Sequence, residues 1–229
     1  MIGRAWRAAL ARAAVPLLVA GLAACDSPTI PAETRAYDFT FETDPPIVLR
    51  WPAGTTIRVY VSGGEEADRA ALLREAFREA AVQWEEAMLF REFRFAEAAR
   101  VEEADVVVFW SGDPIPVDTT GCPPVGVAAR GLTWSCPDLQ ERRLRPFRLL
   151  ADEERSHVRM MVYINRGEAQ DPAAVKRLML HELGHVLGIG RHSPNLDDVM
   201  AVHAPADRLT AADRATVQVL YHAAPDIVP

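Results

Sequence analysis

The spacing of apolar and polar positions predicts a domain built from strands and helices. Residues 57–61 alternate in the manner of a half-buried strand, and a Ser-Gly-Gly turn ends the run. Residues 65–89 carry apolar positions three or four apart, typical of one helix face, with arginines and glutamates opposite. This apolar stripe consists of Leu73, Phe77, Ala81, Trp84 and Met88. We interpret it as core packing rather than as a cofactor-binding surface.

Further strands are predicted downstream. Residues 93–95 are a short strand, and residues 104–110 form a nearly continuous apolar run, which is typical of burial on both faces. Residues 157–165 alternate again, whereas residues 111–150 are mostly loop-like and contain one predicted edge strand at 125–134. The order of elements indicates an α+β domain in which a helix packs across a mixed sheet.

A second helix is predicted to begin at Pro172 and to end at Gly188. Asp171 provides an N-cap acceptor, and proline suits the first helical position. Glycine at 188 can adopt the left-handed conformation that commonly ends helices.

Two imidazoles and one carboxylate lie near the end of this helix. His181 and His185 are four positions apart, so they share a helix face, with Glu182 beside them. Imidazole nitrogens bind zinc, and a site with an open fourth position suits water activation. The alternative is a surface helix that carries two histidines by chance. It is disfavoured because the glutamate and the glycine also fall where the zinc-peptidase pattern needs them.

The motif resembles that of the metzincin zinc peptidases, and within them the matrixin-like group. The matching features are His-Glu-x-x-His-x-x-Gly at 181–188, Ser193 after a third histidine, and Asp-Val-Met at 198–200, which looks like the Met-turn. Residues 209–221 resemble the closing helix of matrixin catalytic domains. The resemblance covers residues 47–222. It implies a zincin/metzincin-like twisted mixed β-sheet packed with a long helix and an active-site helix, and a small C-terminal subdomain ending in a helix.

The third metal ligand is where the sequence departs from the family pattern. The resemblance places this ligand three positions after the motif's glycine, where the chain has Arg191. An arginine cannot ligate a metal ion. His192 is the favoured candidate, with Gly190 absorbing the extra residue as a bulge. Asp197 or Asp198 as third ligand, or a distorted two-histidine site, are the alternatives.

The resemblance and the chemistry together predict a zinc-dependent endopeptidase that hydrolyses peptide bonds of polypeptide substrates. One catalytic Zn²⁺ is expected on His181, His185 and His192, and Glu182 is expected to act as general base toward water. Met200 is expected to form an apolar floor beneath the metal without ligating it. The prediction leaves open whether the domain also binds a structural Ca²⁺ ion.

Substrate is expected to bind in an extended form along the edge strand predicted at 125–134. The family pattern implies that residues 201–207 form a wall of the specificity pocket. His203 falls in that segment and is interpreted as a surface histidine, with contact to substrate as the alternative. His157 and His222 are interpreted as structural or exposed.

Two other functions compete with this prediction. One is a catalytically inactive zinc-binding or adhesion protein that retains the metzincin fold. Glu182 argues against it, because a degenerate site has no reason to keep its base. The other is a gluzincin-type peptidase with a glutamate ligand on a later helix, which Gly188 and Met200 argue against.

The start of the chain predicts a secretory leader and a lipid anchor. Three arginines precede an apolar stretch at 13–24, which is too short to span a bilayer. The Leu-Ala-Ala-Cys sequence ending at Cys25 resembles the lipobox of bacterial lipoproteins. It implies lipid on Cys25 and a place in the bacterial cell envelope, facing the periplasm or the exterior; a simple cleaved signal is the alternative. The predicted division is a lipoprotein signal peptide at 1–24, a tether at 25–46, a catalytic domain at 47–222 and a tail at 223–229.

Composition narrows the choice of partners. The 229 residues are 49% hydrophobic and 25% charged, as in a globular protein with a real core. A net charge of −7 without a Lys/Arg cluster gives no electrostatic footprint for nucleic acid, and we expect a monomer. If Cys25 carries lipid, Cys122 and Cys136 remain as a pair. In an oxidising envelope they are expected to form a disulfide, with two reduced thiols as the alternative.

Overall fold

The computed structural model describes residues 35–62, 67–111, 117–122, 130–150, 157–165, 167 and 171–229. The predicted leader, Cys25 and the first part of the predicted edge strand lie outside these residues. Within them, no helix combines the length and the apolar character that crossing a membrane requires.

The described residues form an α+β fold, as the sequence predicts. They include a 3₁₀ turn at Val101–Glu103. The elements in chain order are β1 (Thr55–Val61), α1 (Ala67–Glu86), β2 (Phe93–Glu97), β3 (Val106–Trp110), β4 (Val117–Asp118), β5 (Gly131–Ser135), β6 (Pro137–Asp138), β7 (Arg143–Leu144), β8 (Arg148–Leu149), β9 (Met160–Ile164), α2 (Pro172–Leu187) and α3 (Ala211–His222).

The main sheet has five strands in the order β2-β1-β3-β9-β5. The first four run parallel, and β5 pairs antiparallel with β9 at one edge, with Gly131 opposite Ile164 and Ser135 opposite Met160. All five residues of the central strand β3 are buried, which explains its nearly continuous apolar sequence. Two short antiparallel ribbons, β4 with β8 and β6 with β7, complete the described strands.

The helices cover one face of this sheet. Val106, Val108 and Trp110 of β3 belong to the cluster that contains the buried faces of α1 and α2. Val107 and Phe109 point to a smaller cluster on the opposite face. This alternation follows from the two-residue period of a strand.

The predicted apolar stripe is buried throughout, although its last residue, Met88, lies just beyond the end of α1. Its tryptophan links the two long helices. Trp84 Nε1 donates a hydrogen bond of 2.8 Å to the carbonyl oxygen of Leu180 in α2. The indole therefore satisfies its one donor while filling the space between α1 and α2.

The packed domain begins earlier than the predicted boundary at residue 47. Tyr37 donates a hydrogen bond of 2.8 Å from its hydroxyl to Asp213 Oδ1 on α3. Phe41 pairs with Ile47 in an antiparallel bridge. From Tyr37 onward the chain is thus attached to the domain instead of extending away as a tether.

The predicted tail at 223–229 is also packed. Ile227 is buried, forms a parallel bridge with Leu49, and accepts a hydrogen bond of 3.3 Å from the amide of Arg50. Val228 bridges Arg143 in the same way. The end of the chain thereby closes the gap between β7 and the segment before β1.

Candidate metal centre

Both ends of α2 are fixed by local chemistry that the sequence anticipates. Asp171 caps the N-terminus by accepting a hydrogen bond of 2.8 Å from the amide of Ala174. Gly188 ends the helix with φ of 109°, and a Cβ there would overlap the carbonyl oxygen of Leu49. Glycine is therefore required both by the backbone conformation and by the close approach of a neighbouring segment.

Two imidazoles on α2 face each other in a fixed tautomeric state. His181 Nδ1 lies 2.8 Å from the carbonyl oxygen of Val199, and His185 Nδ1 lies 2.6 Å from that of Ile189. Because a carbonyl only accepts, both Nδ1 atoms carry the proton in the neutral rings. The two Nε2 atoms, 3.1 Å apart, then direct lone pairs toward a shared space.

The third imidazole of this cluster belongs to His192. One ring nitrogen from each of His181, His185 and His192 lies within 4.8 Å of the others. The same described residues contain no other group of three or more histidines, cysteines or carboxylates arranged to hold a metal ion.

Neither alternative carboxylate joins this cluster. Asp198 is buried and accepts hydrogen bonds from Ser193 Oγ at 2.5 Å and Thr210 Oγ1 at 2.7 Å. Both of its carboxylate oxygens therefore accept hydrogen bonds that stabilise the loop. Asp197 is exposed, and Arg191 forms an ion pair with Asp38 instead of turning toward the histidines.

Burial favours the neutral form of all three imidazoles. It lowers the pKa of His181 to about 4, and it lowers the pKa of His185, to which the neighbouring His181 also contributes. The pKa of His192, the most exposed of the three side chains, is lowered as well, mainly by its partial burial. Neutral imidazoles with free Nε2 lone pairs are the form in which histidine binds a metal, so the donor set fits a divalent cation that accepts nitrogen ligands.

The carboxylate of Glu182 is held between α2 and β5. Thr133 Oγ1 lies 2.8 Å from Glu182 Oε2, so the hydroxyl can donate to the carboxylate. A Cβ at Gly131 would overlap Glu182 Oε1, which means that the glycine leaves room for this oxygen. Burial raises the pKa of Glu182 to about 8, partly offset by the hydrogen bond from Thr133.

Met200 packs beneath the histidine-bearing turn of α2. It is fully buried, and a Cβ at Gly184 would overlap its sulfur atom. Asp213 fixes this methionine's backbone by accepting hydrogen bonds from the amides of Val199 at 3.0 Å and Met200 at 3.4 Å. The loop that carries Met200 is therefore anchored to the first turn of α3.

A cleft of about 470 Å³ lies over the histidine cluster. Its walls include Leu132 of β5, Phe41 of the N-terminal segment, and His203. His203 is exposed and lines this cleft, whereas His157 and His222 are exposed and lie outside the histidine cluster.

A disulfide links Cys122 to Cys136. Cys136 is fully buried and directly follows the last residue of β5. The bond therefore fixes the end of the strand that holds Glu182.

Sequence reasoning missed several residues around this site. Thr133 and Gly131 fall in a stretch with weak periodicity, and nothing in the linear pattern indicates that they face Glu182. Asp38 and Phe41 lie in a segment whose composition suggests a tether. For Asp213 a local signal did exist, because Thr210 and Asp213 form a capping box at the start of α3.

No protein-family model matches the chain, and no curated protein is significantly similar to it.

Proposed function

We propose that the protein is a zinc-dependent endopeptidase of the matrixin-like metzincin type. The observation that carries this proposal is the convergence of three imidazole nitrogens in the same cleft as the carboxylate of Glu182. Metal-assisted hydrolysis of a peptide bond needs a nitrogen-rich metal site and a base beside it.

Zinc is the metal that this donor set favours. Tetrahedral zinc with Zn–N bonds near 2.0–2.1 Å separates neighbouring ligand nitrogens by roughly 3.3 Å. The Nε2 atoms of His181 and His185 are 3.1 Å apart, and their Nδ1 protons are held by carbonyl oxygens. Two facing lone pairs repel each other unless a cation lies between them.

Glu182 is the proposed general base. When bound, zinc would supply water activation near neutral pH, polarisation of the scissile carbonyl, and stabilisation of the ionised Glu182 carboxylate. Glu182 takes the proton of the attacking water and delivers it to the leaving amine. Thr133 and Gly131 keep the carboxylate at the edge of the cleft while this happens.

The edge strand β5 is the proposed binding platform for substrate. β5 lies at the end of the described sheet and contributes Leu132 and Thr133 to the cleft wall. An extended polypeptide can pair with the outer edge of such a strand through main-chain hydrogen bonds. The substrate would then cross the cleft beside Glu182 and the three histidines.

The proposed location is the bacterial cell envelope, with lipid on Cys25. The lipobox-like sequence before Cys25 supports this location. The disulfide between Cys122 and Cys136 is also in keeping with an oxidising compartment.

The test is cleavage of an unfolded protein by the purified chain, measured with the zinc content of the same sample. The wild type should contain one zinc per chain and lose activity with a chelator. Glu182→Gln should keep its zinc and lose nearly all activity, because only the base is removed. Glu86→Gln, a charge-matched change at an exposed position on α1, should behave like the wild type.

The outcomes separate this proposal from an inactive zinc-binding or adhesion protein. That alternative predicts one bound zinc and no chelator-sensitive cleavage by the wild type. Equal peptidase activity in the wild type and in Glu182→Gln would reject Glu182 as the base.

A further inference from the structure

A short N-terminal segment lies against the loop that carries the third histidine. We call residues 37–42 the strap. Its Phe39 carbonyl oxygen accepts a hydrogen bond of 2.8 Å from the amide of Gly190. Phe41 of the strap lines the cleft over the histidine cluster. One end of the strap is attached to α3 through the hydrogen bond from Tyr37 to Asp213.

Arg191, next to the third histidine, forms ion pairs with two carboxylates of the strap. Its Nε lies 3.2 Å from Asp38 Oδ2, and its Nη1 lies 3.6 Å from Glu42 Oε1. Asp38 also accepts hydrogen bonds from the amide and hydroxyl of Thr40 at 2.9 and 2.7 Å, so its carboxylate shapes the strap internally. The strap thus contacts Arg191 near both of its ends.

His192 differs from the other two candidate ligands in how it is held. His181 and His185 each have an Nδ1 atom fixed by a carbonyl oxygen. Neither ring nitrogen of His192 makes a hydrogen bond within the described part of the chain. Its position instead depends on its chain neighbours. The amide of Gly190 donates a hydrogen bond to the strap, and the amide of Ser193 donates one of 2.8 Å to the carbonyl oxygen of Met200.

The fit between Gly190 and the strap leaves no room for a side chain. A Cβ at Gly190 would lie 2.8 Å from the ring of Phe41 and 2.9 Å from its Cα. The loop and the strap are therefore in direct backbone contact, and a movement of either one displaces the other.

We propose that the strap holds the third metal ligand in place, with Arg191 as the positioning residue. Arg191 occupies the position next to the ligand and couples the strap to it through its two ion pairs. Loosening the strap gives the His192 loop more freedom, and the metal site weakens because one ligand is no longer oriented in advance. This inference rests on the metal site of the proposed function, but not on peptidase activity.

The test measures the dissociation constant of Zn²⁺ for the full chain by competition with a chromogenic chelator. Arg191→Ala should raise it about three- to tenfold, in line with partly exposed ion pairs that act on an outer contact of the site. The double change Asp38→Asn with Glu42→Gln should have a similar effect. Combining Arg191→Ala with the double change should raise the zinc dissociation constant little further, because both changes remove the same ion pairs. Gly190→Ala should raise the constant about tenfold or more by displacing Phe41.

Arg78→Ala is the matched control. Arg78 forms an ion pair with Glu97 at 2.7 Å and lies on the outer face of α1. Its removal should leave the zinc dissociation constant within about twofold of the wild type. Arg191→Lys keeps the charge and should restore part of the affinity that Arg191→Ala loses.

Hydrogen exchange gives a second readout that does not depend on activity. Because coupling is reciprocal, zinc should slow exchange at the amides of Gly190 and Phe41 in the wild type, and less so in Arg191→Ala. Unchanged zinc affinity in Arg191→Ala, in the double variant and in Gly190→Ala would overturn the inference. Strap-dependent zinc binding in a wild type that cleaves no polypeptide would support the inference and overturn the proposed activity. A wild type without zinc affinity would overturn both.

Discussion

Thr133 Oγ1 lies 2.8 Å from Glu182 Oε2 and 3.0 Å from the main-chain oxygen of the same residue. A hydroxyl has one proton, so it donates to one of these oxygens at a time. The edge strand β5 therefore orients both the side chain and the helix backbone at the position of the proposed base. This contact joins two elements, β5 and α2, that both line the cleft over the histidine cluster.

Thr133→Val should lower kcat/KM for a peptide substrate about tenfold without changing the zinc content. A hydrogen bond to a charged group contributes about 1.5–3 kcal/mol, and here it fixes the direction of the base. Thr133→Ser keeps the hydroxyl and should retain most of the activity. Wild-type kcat/KM in Thr133→Val would show that this hydrogen bond does not direct the base.

His192→Ala should weaken zinc binding by more than about 100-fold, beyond what loss of an outer hydrogen bond costs. The same loss is expected for His181→Ala and His185→Ala, measured by equilibrium dialysis against zinc. Asp197→Asn, at an exposed carboxylate in the same loop, should leave the affinity unchanged. Full zinc retention in His192→Ala, with loss in the other two histidine variants, would disprove the three-histidine site.

Asp213→Asn should lower the free energy of unfolding by about 2–4 kcal/mol in urea titrations. Its buried carboxylate accepts hydrogen bonds from Tyr37, Val199 and Thr210, and an amide cannot satisfy all of these donors. Asp207→Asn, at an exposed position nearby, should change stability by less than about 0.5 kcal/mol. A small effect of Asp213→Asn would mean that the Met200 loop is held mainly by apolar packing.

Replacing both Cys122 and Cys136 with alanine should lower the free energy of unfolding by about 3 kcal/mol, the value for closing a loop of this length. The same urea titration on wild-type protein under reducing conditions should show a similar loss. Matching stability with and without reductant would indicate that the two thiols are not bonded in solution.

The main elements of the fold follow from local sequence. The stripe of α1 and the alternation of β1 record burial directly, and the Asp171 cap and Gly188 mark the ends of α2. These features depend on residues that are close together in the chain. For the same reason the His181, Glu182 and His185 arrangement could be predicted from the spacing alone.

Other features depend on contacts between distant parts of the chain. Tyr37 and Asp213 are 176 positions apart, and no local pattern marks residues 37–42 as packed. The third histidine poses a related problem. Spacing alone leaves Asp197 and Asp198 as alternatives, and the path of the loop through Gly190 is set by the strap. The packing of residues 37–42 and the position of the third histidine are therefore determined by long-range contacts and not by local secondary-structure propensity.

The attachment of Tyr37 to α3 also limits how far the domain can travel from a lipid anchor. Tyr37 lies only twelve positions after Cys25, and a fully extended chain of that length reaches about 40 Å. If Cys25 is lipidated, as proposed, the domain is confined to a thin layer above the bilayer. Within that layer, the effective concentration of membrane-bound polypeptides exceeds that of freely diffusing ones. The point of attachment would thus select substrates by where they reside before any side chain is recognised.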